Sequence, residues 1–162
     1  MDFSRWFLTV LLCLTSMHAV IAQNNLPTGK YSSQAFHDSI HWKPIKERHI
    51  HKYLSSLKAA TQNRHATVFL GTWCSDSKKW VPRFMYLEKI IGIKNVTYIL
   101  VDKKKSDPEG HGLQAGITHV PTFVFFQDSI EVARIVESPT ADLLYIEMLG
   151  KLQVFSKDAL RD

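Results

Sequence analysis

The thiol of Cys74 is the side chain of this sequence best suited to covalent chemistry, and its neighbours form the pattern Trp73-Cys74-x-x-Ser77-Lys78. Residues 66–70 before it are apolar, β-branched and aromatic, which predicts a strand. Apolar residues over positions 81–91 recur at helical spacing, which predicts a helix after it. Cys74 is therefore predicted where a strand turns into a helix. The free N–H groups at a helix start favour a thiolate over a thiol, so we expect a nucleophilic cysteine.

The chain contains two cysteines, but only Cys74 is expected to remain in the mature protein. Residues 1–22 are typical of a secretory signal peptide, with a small-residue cleavage site before Gln23 and Cys13 inside the apolar run. That run is shorter than the roughly 20 apolar residues that a membrane span needs. We therefore predict cleavage, no stable membrane insertion, and a periplasmic or secreted protein. An unpaired cysteine in an oxidising compartment indicates intermolecular pairing or a free reactive thiol.

Two segments resemble the thioredoxin family. The pattern around Cys74, with Pro82 eight residues further on, is similar to the thioredoxin active-site segment. The segment Gly116-Ile117-Thr118-His119-Val120-Pro121-Thr122 is similar to the family's Gly-Ile-x-x-(Ile/Val)-Pro-Thr loop. The resemblance covers about residues 66–152. It implies a thioredoxin-like fold, a cis Val120–Pro121 bond facing Cys74, and a substrate-binding groove around Trp73, Val120 and Pro121. Protein or small-molecule thiols and disulfides are the implied partners, and neither a cofactor nor a metal is expected.

The sequence departs from the thioredoxin pattern at two positions. Ser77 replaces the second cysteine, so an internal dithiol cycle cannot close. Its hydroxyl could donate a hydrogen bond to a Cys74 thiolate, or it could satisfy the helix terminus. Val68 stands where the family often has a buried carboxylate, and this lowers the expectation of efficient dithiol-type turnover.

Two hypotheses from different functional classes follow. In the first, Cys74, assisted by Ser77, carries out monothiol thiol–disulfide exchange. In the second, the chain is a non-catalytic binding module that recognises extended peptides around Trp73 and Pro121. A thiol peroxidase fits less well, because Gly71 stands where a Thr-x-x-Cys pattern would need threonine. Whether the protein is an enzyme stays open at this point.

The elements that position Cys74 can be predicted from periodicity and turn residues. Residues 23–40 are polar without a clear period and are expected to form a flexible lead-in, followed by a single domain over 41–162. The domain is predicted to contain, in order, a helix after Pro44, a strand, the helix after Cys74, a second strand, a short helix, a hairpin and a last helix opening at Pro139. The fold class is therefore α/β, with a mixed central sheet covered by helices on both faces and an N-terminal helical extension.

Composition excludes little, but it argues against nucleic-acid binding. The 162 residues carry a net charge of +5, and the tightest basic run, residues 103–105, is diluted by acidic neighbours and is predicted to be a solvated loop. His49 and His51 lie two apart and cannot share a helix face, so they are not a metal pair. The remaining histidines show no metal-site spacing, and His119 is expected on the loop surface.

Overall fold

A computed structural model describes residues 27–139 and 143–158, which form an α/β fold with one five-stranded mixed sheet. The predicted signal peptide and Cys13 lie outside the described residues. The elements in chain order are β1 (Gly29–Ser32), α1 (Ser33–Ile40), a 3-10 helix (Ile50–Tyr53), α2 (Leu54–Thr61), β2 (Arg64–Leu70), α3 (Ser75–Ile91), β3 (Val96–Leu100), α4 (His111–Gln114), β4 (Thr122–Gln127), β5 (Ile130–Val136) and α5 (Leu144–Asp158).

The strands follow the order β1-β3-β2-β4-β5 across the sheet. Strands β2 and β3 are parallel, as a strand–helix–strand crossover requires, and β4 and β5 form the predicted antiparallel hairpin. The carboxyl ends of β2 and β3 therefore lie side by side at the same end of the sheet. The segment that follows β2, which contains Cys74, is placed next to the loop that follows β3.

Side chains alternate between the two faces of the sheet along each strand, and the two faces carry clusters of different size. One face carries the larger core, to which α1, α2, α3 and α5 all contribute buried side chains such as Phe36, Leu57, Phe84 and Met148. The other face carries a smaller cluster, with Phe69, Ile99 and Val124 on its strands. Among the described helices only the four-residue α4 packs on that second face. The predicted mixed sheet flanked by helices is confirmed, with the long helices gathered on one side.

The structure corrects the prediction of a flexible lead-in over residues 23–40. Strand β1 pairs antiparallel with β3, and Ser32 caps α1 by accepting a hydrogen bond from Ala35 N at 3.3 Å. Phe36 is fully buried and stacks on Tyr98 with ring centroids 4.1 Å apart. Burying a phenylalanine stabilises by about 1.5–3 kcal/mol, so Phe36 contributes to holding this mostly polar helix on the sheet. The sheet therefore begins at Gly29, before the domain start predicted at residue 41.

The helix predicted after Pro44 is present, but it begins later, with the 3-10 helix Ile50–Tyr53 and α2 (Leu54–Thr61). Residues 41–49 are irregular, and His49 has a φ of 60°, a left-handed conformation that interrupts a right-handed helix. The segment is attached to α3 instead, since Ile45 N donates to Pro82 O at 2.9 Å and Arg83 Nε lies 3.3 Å from Glu47 Oε1. The last helix begins at Leu144 rather than at Pro139, and residues 140–142 lie outside the described part.

Among the described helices, none is long and apolar enough to cross a membrane.

Candidate functional site

Cys74 is the residue that precedes the first turn of α3, as predicted. Its φ and ψ of −86° and 128° are extended, and Ser75 opens the helix. Two backbone hydrogen bonds fix it: Cys74 N donates to Gly71 O at 3.0 Å, and Lys78 N donates to Cys74 O at 3.1 Å. The side chain is half-buried and, among the described residues, it is not in a disulfide. The thiol thus lies at the amino end of a 17-residue helix with part of its surface open to solvent.

The sulfur of Cys74 faces the loop that precedes β4. Cys74 Sγ lies 3.1 Å from Val120 O, to which the protonated thiol donates. The Val120–Pro121 peptide bond is cis, which is the geometry that the motif resemblance implied. Both residues are buried, and Val120 belongs to the smaller apolar cluster against which Cys74 packs. The two motifs are 46 residues apart in sequence and meet at the sulfur.

Val120 is the residue of this loop best placed to pair with an extended peptide. The carbonyl of Pro121 already accepts a hydrogen bond from Glu137 N at 2.7 Å. The carbonyl of Val120 accepts only a thiol hydrogen among the described contacts, and a thiol is a weak donor. A peptide N–H would therefore displace the contact at Val120 O more readily than the backbone hydrogen bond at Pro121 O.

Ser77 is fully buried, and its hydroxyl oxygen accepts a hydrogen bond from Gly71 N at 3.2 Å. This contact joins the first turn of α3 to the residue that follows β2. The two roles predicted for Ser77 were a hydrogen bond to the Cys74 thiolate and a hydrogen bond at the helix terminus. The described contact differs from both, because the Ser77 oxygen accepts from Gly71 N, which follows β2.

Trp73 is half-buried, and its indole ring is held against the protein. Its Nε1 donates to Val101 O at 3.0 Å, and its ring lies over Gly71. A Cβ added to Gly71 would stand 2.5 Å from two indole atoms, so only glycine leaves room for this arrangement. Trp73 and Cys74 both pack against the smaller apolar cluster.

The loop after β3 contributes a residue to the site that the sequence analysis did not select. Lys105 Nζ lies 5.4 Å from the centroid of the Trp73 ring, within the range of a cation–π contact. Asp102 shapes the loop, because its Oδ1 accepts hydrogen bonds from Lys104 N at 2.8 Å and Ser106 N at 2.9 Å. The predicted parallel pairing of β2 with β3 could have revealed Lys105, because it places the loop after β3 beside the residues that follow β2.

A cluster of Asp107, Glu109 and His111 in the same loop has the composition of a metal site. One ligand atom from each lies within 4.8 Å of the others. Both oxygens of Asp107 are already engaged, however: Oδ1 accepts from Gly112 N at 2.7 Å, and Oδ2 lies 2.8 Å from His111 Nδ1. Burial disfavours the Asp107 carboxylate, but the hydrogen bonds from Gly112 and His111 and the charge of His111 together lower its pKa below the ordinary value. The arrangement caps α4 and gives no reason to place a metal there.

Two further predicted positions are resolved by the structure. His119 is exposed, and its Nδ1 lies 3.0 Å from Thr118 Oγ1 rather than against the sulfur, so it belongs to the loop surface as predicted. Val68 is fully buried in the larger core, pairing in register with Phe123 of β4.

Comparison with known proteins returns similar structures but no family. The chain is similar to a protein of unknown function from Pseudomonas aeruginosa, at 11% identity and a TM-score of 0.48 over 80% of this chain and 99% of that one. It is similar to a thioredoxin from Aeropyrum pernix, at 11% identity and a TM-score of 0.45 over 80% and 97%. It is also similar to mitochondrial thioredoxin 3 from Saccharomyces cerevisiae, at 22% identity and a TM-score of 0.38 over 57% and 82%. No protein-family model and no curated protein matches the chain. At such low identities and TM-scores these likenesses establish neither its family nor its activity.

Proposed function

We propose that this chain is an exported, monothiol, thioredoxin-like protein that carries out thiol–disulfide exchange through Cys74. The observation that supports this most directly is the meeting of the two motifs. A half-buried thiol at the amino end of α3 faces the carbonyl of Val120, next to the cis bond to Pro121. A reactive cysteine needs partial exposure and nearby N–H donors, and Cys74 is half-buried at the amino end of α3.

The proposed reaction has two steps. The Cys74 thiolate attacks one sulfur of a substrate disulfide R–S–S–R′, forming Cys74–S–S–R and releasing R′S⁻. An external thiolate R″S⁻ then attacks the R sulfur, which releases the Cys74 thiolate and forms R–S–S–R″. The external thiol is required because Ser77 has no sulfur with which to attack the mixed disulfide. Electrons pass from the external thiol to the substrate, and the chain returns unchanged.

The resting contact of the thiol assigns a further role to Val120. In the resting contact the thiol hydrogen is held by the carbonyl of Val120. A peptide N–H that bound Val120 O would compete with this contact. Substrate docking beside Pro121 would then release the cysteine sulfur for attack on the substrate.

The same contact supports a second candidate, a non-catalytic binding module. If the thiol remained bonded to Val120 O throughout, Trp73, Val120 and Pro121 would form an apolar recognition surface without chemistry. The two functions differ in one measurable property, which is the reactivity of Cys74 toward disulfides.

Exchange can be tested on the protein purified from the exported fraction of its host. Incubation with a small disulfide should give a mass increase of one disulfide half on the native chain and none on Cys74→Ser. The adduct should persist until an external thiol is added and should then disappear. The same preparation should begin near Gln23 by N-terminal sequencing. A native chain that forms no adduct, or forms it no faster than free cysteine, would refute exchange and leave the binding module; a retained Met1 would refute export by cleavage.

A further inference from the structure

The ammonium group of Lys105 is held in place beside the site rather than free in solvent. Its Nζ donates to Lys103 O at 3.2 Å and lies 5.4 Å from the centroid of the Trp73 ring. Lys105 is half-buried, whereas Lys103 and Lys104 on the same turn are exposed. Lysine side chains lose considerable entropy when fixed, so a positioned ammonium is already prepared to meet an anion. Trp73, which it contacts, is the residue directly before Cys74.

Lys78 places a second positive charge on the other side of Cys74. It lies one helical turn further along α3, and its backbone N–H is bonded to Cys74 O at 3.1 Å. Its side chain is exposed, in the helical turn that follows Cys74.

Carboxylates also lie near these two lysines. Asp102 accepts hydrogen bonds from the amides of its own loop, and Asp107 is paired with His111. Asp76 lies in the first turn of α3, and the backbone N–H of Glu137 donates to Pro121 O at 2.7 Å. Selection by Lys105 therefore depends on its fixed position beside Trp73 rather than on an excess of positive charge.

We propose that Lys105 and Lys78 make Cys74 select disulfides that carry negative charge next to the reacting sulfur. This inference rests on the exchange reaction proposed above and specifies its substrate class. The shared chemistry is a carboxylate near a disulfide, which either a small acidic thiol or an acidic peptide can supply. Such a carboxylate would lie between the ammonium of Lys105 and the side chain of Lys78 while its sulfur meets Cys74.

The size of the preference follows from Coulomb's law at a solvated surface. We take the lysine ammonium and the substrate carboxylate to be about 8 Å apart. At dielectric constants between that near a protein surface and that of water, their attraction changes a rate by roughly twofold to tenfold or more. An ammonium on the probe is repelled by the lysines, so the ratio of the acidic-probe rate to the basic-probe rate exceeds the effect of the carboxylate alone. Added salt should reduce this ratio, because the Debye length falls from about 10 Å at 0.1 M salt to about 3 Å at 1 M.

The test uses pairs of 2-pyridyl mixed disulfides that differ only in charge. The Cys74 thiolate attacks the probe's aliphatic sulfur, forms Cys74–S–S–probe and releases pyridine-2-thione, whose absorbance gives the rate. One pair is small, made from 3-mercaptopropionate and cysteamine. The other pair consists of short cysteine peptides flanked by glutamate or by lysine. The leaving group is the same throughout, so each acidic-to-basic rate ratio, divided by the same ratio for the uncharged thiol 2-mercaptoethanol, reports electrostatic selection by the protein.

We expect a corrected ratio of at least about fivefold at low salt in one pair or both, falling toward one at high salt. A preference in the small pair alone would assign small acidic disulfides, and one in the peptide pair alone would assign acidic peptides. Lys105→Gln should lower the ratio by about half or more, while Lys105→Arg should retain it, because arginine keeps the charge and also stacks on an indole.

Lys94→Gln is the matched control. Lys94 is also exposed, but it precedes β3 and so lies at the opposite end of that strand, roughly 17 Å from the loop beside Trp73. It removes the same net charge and should leave the ratio unchanged. A lowered thiolate fraction in any variant slows both probes equally and cancels in the ratio.

Fast reaction of Cys74 with corrected ratios near one would overturn the charge selection and leave the exchange function intact. Failure of every probe to react would overturn both proposals. A ratio lost equally in Lys94→Gln would show that overall charge, not Lys105, is responsible, which also overturns the inference.

Discussion

Gly71→Ala should destabilise the protein through the indole of Trp73. The added Cβ would stand 2.5 Å from Cε2 and Nε1 and 2.9 Å from Cζ2. Carbon atoms pack at about 3.5–4.0 Å, so the ring must move by about 1 Å. That movement stretches the 3.0 Å hydrogen bond from Nε1 to Val101 O, worth about 1 kcal/mol, and overpacking adds about 1–3 kcal/mol. We therefore expect the free energy of unfolding to fall by about 2–4 kcal/mol.

Urea unfolding followed by far-UV circular dichroism measures this loss. With a slope of about 1–3 kcal/mol per molar urea, the midpoint should fall by roughly 1–2 M. A double-mutant cycle identifies the cause. In a Trp73→Ala background the indole is gone, so Gly71→Ala should cost less than about 1 kcal/mol, and the coupling between the two residues should account for most of the effect.

Gly150→Ala is the control with the opposite expected sign. Gly150 is exposed inside α5, and a Cβ there would meet nothing within 4 Å. Alanine in a helix interior is favoured over glycine by about 0.5–1 kcal/mol, so this variant should be slightly stabilised. The reasoning about Trp73 would be refuted if Gly71→Ala were neutral, or if it cost as much without the indole as with it.

Two further predictions concern Ser77 and Asp107. Ser77→Cys places a second sulfur three residues after Cys74, on the first turn of the helix that Cys74 precedes, so we expect an internal disulfide by mass spectrometry and faster release of mixed disulfides than in the native chain. Absence of that disulfide would contradict the proposed geometry of the site, because the bond needs the two Cβ atoms within about 3.5–4.5 Å. The variant should also lose about 1 kcal/mol of stability, because sulfur is a poor acceptor for Gly71 N. Because the folded pKa of Asp107 lies below its unfolded value, its contribution to stability is present above about pH 4 and is lost as pH falls through the folded pKa. Asp107→Asn should therefore unfold at lower urea than the native chain at pH 6, with a gap that narrows below about pH 4, and a gap independent of pH would contradict this account.

Local signals in the sequence were sufficient for the elements next to Cys74. Periodicity and turn residues predicted β2, α3, β3 and the β4–β5 hairpin, and Gly92 ends α3 with a φ of 79° as its position suggested. These elements are long or strongly patterned, so local propensity and tertiary packing agree there. The order of the elements was also enough to predict a parallel pair beside an antiparallel hairpin.

The N-terminal elements could not be predicted because their stability comes from contacts distant in sequence. Strand β1 has four residues and exists through its pairing with β3. Helix α1 is held by Phe36 on Tyr98, more than sixty residues away. An isolated helix of this length is unstable in water, so its own sequence carries little signal.

The sequence by itself determined that Cys74 stands at a strand-to-helix turn, with Ser77 three residues further on. Only the tertiary structure decided what surrounds that sulfur. It places the carbonyl of Val120 3.1 Å from Sγ and engages the hydroxyl of Ser77 with Gly71 N. It also brings Lys105 over the indole of Trp73. These contacts join segments that follow different strands, and strand pairing across the sheet, which is a long-range property, sets their distances.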